Sequence, residues 1–537
     1  MPDMKNILCS IALSLLGLTS ANADIRTAVS DLQNALLYTD YFYVDTVKTE
    51  KLAADAIKGM LKELDPHSTY LTRDEVKNMN EGLGGNFEGI GVRYQMENDT
   101  LLVISTVVGG PSEKQGIMAG DRIIAVNDSS IAGQHMNNKE IQRRLRGPKG
   151  TGVKISVLRE QDVIDFDITR DKIPVYSVDA AYMATPQTGY IRVARFALTT
   201  PAEVETAIKD LESKGMQNII IDLQGNGGGY LESAVQLASL FLNYGEMVVY
   251  TQGRREPRRV HNANRTNPFR GRMVVMIDEE SASSSEIFTG AIQDWDRGVI
   301  IGRRSFGKGL VQRPIELPSG AMIRLTIAHY FTPSGRCIQK PFTKGEGEDY
   351  YKDIITRFKR GEFLSADSIQ LHDSLKYFTN GNRVVYGGGG IMPDVFVPLD
   401  TTRINKTHRN LMAKGIINKW TISYFKEHQK KLHNDYDTFE KFDQAFTISD
   451  EQIAELCKIA NKDSVTIDSL DLEKSKDLLK MQLKAYIAND LYELGSYNRI
   501  MNKRAKAFQE ALRIISSEEE YNHYLNKNEY SSDGDTL

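Results

Sequence analysis

The stretch MVVMIDEESASSSEIFTGAIQDWDRGVIIG, Met273 to Gly302, sets the architecture of this chain. Met273 to Ile277 is a short apolar run that reads as a buried strand. The turn Ser281-Ala282-Ser283-Ser284-Ser285-Glu286 follows it, then a helix from Ile287 to Trp295 and a second strand from Gly298 to Gly302. The same alternation begins upstream, with strand Tyr190 to Phe196, helix Pro201 to Lys214, strand Asn218 to Leu223, helix Leu231 to Leu242 and strand Met247 to Tyr250. Strands alternating with helices predict an α/β layered core. Downstream, Gln312 to Leu317 and Met322 to Phe331 form a hairpin around Pro318-Ser319-Gly320.

Outward from this core the pattern changes twice. Between Gly82 and Thr169 short alternating strands are expected at Gly91 to Gln95, Leu101 to Val107, Arg122 to Val126, Val153 to Arg159 and Val163 to Thr169. Two short helices accompany them, one after Gly109-Gly110-Pro111-Ser112 and one from Asn137 to Leu145. This β-rich module resembles a PDZ domain in the circular order of bacterial proteases. The flanks are helical in period: Ile25 to Leu83, closing at Leu64-Asp65-Pro66 where proline stops the helix, and Thr401 onward, which is charged throughout. The divisions expected are therefore 1–23, 24–83, 84–172, 173–400 and 401–537.

A chain of 537 residues exceeds what one hydrophobic core serves, so several domains are expected. The net charge is only -4 and the charges are interspersed, which argues against a nucleic-acid partner. At the start Lys5, the apolar run Ile7 to Leu18 and Ala21-Asn22-Ala23 before Asp24 read as a cleaved export signal, with the periplasm as the expected destination. That run falls short of the ~20 apolar residues a spanning helix needs, so a cleaved leader is favoured over an uncleaved anchor. After cleavage Cys337 and Cys457 remain, which cannot make a disulfide framework and are expected as unpaired buried thiols.

The chemistry is concentrated at two turns. Ser283 lies twenty-five positions before Lys308 in Ser305-Phe306-Gly307-Lys308-Gly309, and Gln312 follows four residues later. A serine hydroxyl needs a base, and His329, the only nearby histidine of the core, reads as a strand-face packing residue. Lys308 is the stronger candidate. Its amine must be lowered by roughly three pKa units, about 4 kcal/mol, to act near neutrality, which the apolar neighbours Phe306, Leu310 and Val311 can supply by burial. The Gln312 amide oxygen can hold the amine in place.

Local chemistry does not choose among Ser281, Ser283, Ser284 and Ser285, one of which can cap the helix while another attacks. The helix start offers N-H groups to an oxyanion, and the loop Asp222-Leu223-Gln224-Gly225-Asn226-Gly227-Gly228-Gly229 offers a second donor. That loop lacks the GxxxxGK[ST] order of a nucleotide cradle.

Taken together the segments Leu64 to Leu71, Gly89-Ile90-Gly91-Val92, Gly120 to Ile124, Arg146 to Gly150, Ile221 to Gly229, Ser281 to Glu286, Phe306 to Gly309 and Thr332 to Arg336 stand in one order. By them the chain resembles the carboxy-terminal processing peptidases, the tail-specific serine endopeptidases of family S41. The resemblance implies a crotonase-like (ClpP/crotonase) peptidase core with an inserted PDZ domain and helical ends. It places the nucleophile at Ser283, the general base at Lys308 and the orienting glutamine at Gln312. The oxyanion donors would be the N-H of Ser284 and of Gly228 or Gly229, and Gly89, Ile90, Gly91 and Val92 would receive the substrate's C-terminal carboxylate. Arg146 falls where the family has an arginine implicated in gating.

Gln224 stands where the family usually has arginine, so that ion pair is absent. The expected partners are proteins or peptides with accessible C-terminal tails, with an adaptor and self-association compatible with the family, and no cofactor or metal. The rival reading is a PDZ peptide-binding scaffold with an inactive protease-like domain.

Overall fold

The computed structural model describes residues 24–97, 99–492 and 495–525. The export signal expected in 1–23 lies outside these residues. The described chain divides into two compact units, the smaller made of residues up to Val76 with Gln312–Thr326 and Phe342–Tyr351, the larger of the remainder.

In the smaller unit a helix spans 24–42 and another Thr49–Lys62. The turn at Asp65 leads into strand Thr69–Leu71, which pairs antiparallel with residues 322–324, Thr69 facing Arg324 and Leu71 facing Met322. The Asp65 carboxylate organises the turn. It accepts from the N-H groups of His67 and Ser68 at 2.8 and 2.9 Å and from the Ser68 hydroxyl at 2.5 Å.

The centre of the larger unit is a six-stranded sheet in the order Val178–Met183, Thr188–Val193, Asn218–Asp222, Met273–Ile277, Val299–Gly302, Val395–Phe396. The first pair is antiparallel and the rest are parallel. Asn218–Asp222 and Met273–Ile277 are buried at every position, as parallel strands covered on both faces must be. Side chains alternate between two cores. Ile219, Ile221, Met273, Val275 and Ile277 face helices Thr200–Ser213, Leu231–Ala238 and Ser284–Asp294. Ile220, Val274 and Met276 face Phe508, Ala511, Ile514 and Ile515 of helix Lys506–Ser516 and Tyr521 of helix Glu518–Leu525. The sheet thus takes its second layer from residues that sequence pattern alone groups with the C-terminal helices.

Two further modules belong to this unit. Strands Val92–Glu97, Thr100–Thr106, Arg122–Val126, Gly152–Arg159 and Asp162–Thr169 form an antiparallel sheet in chain order, with helix Asn138–Leu145 capped by the Asn137 side chain. The expected strands hold within a residue or two, and a pair missed in the sequence, Asn86–Gly89 with Asp171–Pro174, closes the entry and exit of the module. Residues 406–491 form a helical domain around Trp420, Phe442, Leu456 and Leu483. Among the described residues no helix is long and apolar enough to cross a membrane.

Candidate active site

Three adjacent parallel strands, Asn218–Asp222, Met273–Ile277 and Val299–Gly302, end side by side, so the loops leaving them converge. These are the glycine loop 224–229, the serine turn 281–283 and the lysine loop 305–309. The helix after the serine turn begins earlier than its apolar pattern suggested, at Ser284 rather than Ile287, because Ser284, Ser285 and Glu286 are themselves buried. Ser283 therefore sits at the junction, part-exposed, with φ of +57°. A side chain in that left-handed region costs about 1 kcal/mol or more, strain that the surrounding contacts must hold in place.

Glu286 supplies the restraint. Its carboxylate is fully buried and accepts from the Ser283 N-H at 2.8 Å, the Lys308 N-H at 2.9 Å, the Gly307 N-H at 2.7 Å and the Ser305 hydroxyl at 2.5 Å. One side chain thus ties the serine turn to the lysine loop. Burial pushes its pKa up, and the four donors oppose that shift by stabilising the carboxylate. Tyr330 adds a second tie, its hydroxyl lying against the carbonyl of Lys308 and, at 3.2 Å, that of Ser283. Neither role was read from sequence. The spacing of Glu286 three residues after Ser283 carried a signal, the serine-x-x-glutamate capping box; Tyr330 carried none.

The glycine loop closes over the serine from the other side. Gly228 has φ of +98°, and a Cβ there would fall 2.7 Å from the Ala282 carbonyl and 2.8 Å from the Ser283 Cβ. Only glycine fits. The Gly228 N-H, however, donates to the Asn226 side-chain oxygen at 2.9 Å, so Gly228 is not placed to donate to a substrate. Of the two glycine candidates this leaves Gly229, whose N-H, like that of Ser284, donates to no group among the described residues. The other serines are engaged structurally: Ser281 Oγ donates to the Leu223 carbonyl, Ser284 Oγ to that of Gly229 and Ser285 Oγ to that of Asn226, at 2.8, 3.0 and 2.8 Å.

The loop is pinned at its start as well. Gln224 donates its N-H to Asp222 at 2.8 Å and receives the Arg192 guanidinium on its carbonyl at 3.0 Å, while Arg192 also pairs with Asp222 at 3.1 Å. A backbone bond to Arg192 holds the position where sequence comparison left an ion pair missing. Asp278 accepts from the N-H groups of Gly225, Glu280 and Ser281, at 3.0, 3.0 and 3.2 Å, and so joins the glycine loop to the serine turn. Burial raises its pKa to about 6, with Glu279 adding to the rise and Arg303 opposing it.

Gln312 belongs to the smaller unit. There its side-chain nitrogen donates to the Thr326 hydroxyl at 3.4 Å, and Thr326 donates to Asp65 at 2.9 Å. His329 is exposed on its strand, its Nδ1 3.9 Å from the Cys337 sulfur. Cys337 and Cys457 are free thiols, each part-buried.

The β-rich module carries a groove of about 130 Å³ lined by Phe87, Ile90, Val92, Tyr94, Leu145 and Arg146. Val92–Glu97 is the terminal strand of its sheet, and the N-H groups of Ile90 and Gly91 donate to no group among the described residues. Gly89 is paired with Asp171 in the entry strands. Arg146 is fixed by Glu81 at 2.6 Å and lies over the Phe87 ring at 4.6 Å.

Residues 187–346 match peptidase family S41, residues 89–169 match the PDZ domain, and residues 407–493 match a family of unknown function. The carboxy-terminal processing protease CtpA of Bacillus subtilis is 35% identical over 330 residues, which cover 60% of this chain and 70% of that protein. The chain belongs to the carboxy-terminal processing proteases of family S41. A probable CtpA-like serine protease of Staphylococcus aureus strain N315 is 34% identical to this S41 chain over 324 residues, 60% of the chain and 64% of the relative's length. Among solved structures the photosystem II D1 C-terminal processing protease is 27% identical, covering 57% of this chain and 89% of the other with a TM-score of 0.33.

Proposed function

We propose that this chain is an exported serine endopeptidase that takes the C-terminal tails of protein substrates through its PDZ domain and hydrolyses peptide bonds with Ser283 and Lys308. One observation carries the reading. Glu286 accepts from the backbones of both Ser283 and Lys308, so two residues twenty-five positions apart are held at one corner, beside the N-H groups of Ser284 and Gly229.

In the proposed cycle the neutral Lys308 amine takes the Ser283 hydroxyl proton as Oγ attacks the scissile carbonyl carbon. The N-H groups of Ser284 and Gly229 receive the developing oxyanion, at the positive end of helix Ser284–Asp294. Collapse breaks the C-N bond, and Lys308 returns the proton to the leaving amine. Lys308 then deprotonates a water that attacks the acyl-enzyme, releasing the new carboxylate and restoring Ser283. Gln312 is assigned as the group orienting the amine.

The tail would add as a strand to the edge Val92–Glu97, its carboxylate received by the Gly89 to Val92 loop, with the apolar groove selecting the last side chain. A crotonase-like core follows from the family reading, export to the periplasm from the pattern of Lys5, Ile7 to Leu18 and Ala21-Asn22-Ala23, and an adaptor is compatible with the family. Self-association is supported by the helix 24–42, which exposes Ile25, Val29, Leu32, Tyr38 and Phe42.

The test is incubation of the purified chain with an unfolded carrier protein ending in valine, beside Ser283→Ala and Lys308→Ala, with fragments identified by mass. Both variants should lose at least about 10³-fold in kcat. Retained cleavage in Lys308→Ala would remove the lysine from the mechanism; retained cleavage in Ser283→Ala would remove the reading.

A further inference from the structure

The strand Thr100–Thr106 has two faces. Leu101 and Val103 lie in the core of the PDZ domain, so Leu102 and Ile104 point to the opposite side of the sheet, where an isolated module would meet water. Leu102 is nevertheless only 2% exposed. Its cover is helix Ile416–Asp435, whose Ile422 and Phe425 enclose with Leu102 and Ile104 a small cavity of about 30 Å³. Next to this contact Arg93 of the edge strand reaches Asp490, near the end of helix Ser469–Leu491, at 3.0 Å. The Asp490 side chain is 10% exposed, so Arg93 supplies the charge that its burial requires.

The same helical domain is fastened at its other end to the peptidase sheet. Gly495 lies so close to strand Val178–Met183 that a Cβ there would fall 3.0 Å from the Ala180 Cα. The Asn502 side-chain nitrogen donates to the Tyr182 hydroxyl at 2.8 Å, and the Arg499 guanidinium lies 5.6 Å from the centre of the Tyr182 ring. Helix Lys506–Ser516 then continues into the core beneath the sheet.

We propose that the helical domain 407–493 is a brace that holds the PDZ domain in one position relative to the catalytic sheet, with Arg93 and Asp490 as its latch. The brace meets the outer face of the PDZ sheet and Arg93 of its edge strand, while the groove lined by Phe87, Ile90 and Leu145 lies with the other face. A module held in place raises the effective concentration of a bound tail's protein at the reaction centre; a loosened one lets that protein explore more volume. The domain therefore acts on delivery and not through the groove that receives the last side chain. This rests on the reading that tails bind the groove and are cut at Ser283.

The experiment uses the full chain and three variants on the helical-domain side of the contact: Ile422→Asp, Asp490→Arg and the two combined. A fluorescent peptide ending in valine reports tail affinity. Cleavage of an unfolded carrier ending in valine, divided by cleavage of the same carrier ending in aspartate, reports tail-directed delivery. Each single variant should lower that ratio about tenfold while the peptide Kd stays within twofold, and the combined variant should lower it at least as far. Single variants with an unchanged ratio, or with a Kd shift as large as the loss, would each overturn the brace. A native chain that shows no preference for the valine tail would instead overturn the tail-recognition reading, which separates the two failures.

Discussion

The corner that holds Ser283 and the groove that faces Val92 are built on opposite principles. At the corner the backbone segments are fixed by charged side chains that are buried or partly buried: Glu286 holds the serine turn and lysine loop, Asp278 the serine turn and glycine loop, Arg192 the start of that loop. At the groove a strand edge and the N-H groups of Ile90 and Gly91 are left for something else to complete. The difference follows from the work required. An oxyanion donor must be in place before charge develops, whereas an edge strand gains its hydrogen bonds only when a peptide arrives.

The contrast breaks most severely at Glu286. Glu286→Ala strands three backbone donors in the interior, and both a loss of about 3 kcal/mol or more in stability and at least a hundredfold loss in kcat are expected, read by denaturant unfolding and by peptide cleavage. If Glu286→Ala keeps native kcat, the corner is not held in the way described. Gly228→Ala should come next. Its Cβ has no room beside the Ala282 carbonyl, so kcat should fall about tenfold or more while binding of a valine-ended peptide is unchanged; a shift in peptide Kd would show that the two regions are not independent.

In the groove Phe87→Ala should do the reverse, raising the KM of a tail-bearing carrier about fivefold with kcat retained. A fall in kcat without a rise in KM would contradict the assignment of Phe87 to recognition.

The mildest probe is pH. The folded Asp278 carboxyl has a pKa of about 6, above its value in an unfolded chain, so between about pH 4 and 6 the folded state holds a proton that the unfolded state has released. Its contribution to stability is therefore highest below that window and declines as pH rises through it. Activity should run the other way, because the ionised form is the stronger acceptor for the Gly225 and Ser281 N-H groups. An acid limb near pH 6 in kcat/KM is expected, and Asp278→Asn, which keeps an acceptor but cannot titrate, should flatten it.

Much of this was legible in the sequence. The apolar runs at Asn218 and Met273 had the length and density of strands covered on both faces, and the PDZ strands alternated cleanly, so their ends were placed within a residue or two. The serine turn, the lysine loop and the glycine loop stood out because turns advertise themselves through glycine and serine, whereas the choice of Ser283 among its neighbours rested on the family resemblance. The boundary of helix Ser284–Asp294 was misplaced, since three polar residues at its start are buried by tertiary bonds that periodicity cannot register. Tyr330 and Arg192 escaped notice because each acts through contacts with residues distant in the chain. Gly228 was offered as a donor because a glycine-rich loop does not reveal which of its N-H groups an asparagine two residues earlier has taken.

Helices Lys506–Ser516 and Glu518–Leu525 carry a consequence for biosynthesis. The ribosome makes them after every strand of the peptidase sheet, yet they pack in one core with Tyr190, Ile220, Val274, Met276 and Ile301. Until they emerge, one side of the sheet is a greasy wall with nothing against it, and the loops that shape the reaction centre hang from an unfinished scaffold. Completion of the scaffold under the reaction centre is thereby tied to the emergence of these two helices, well after its strands have been made.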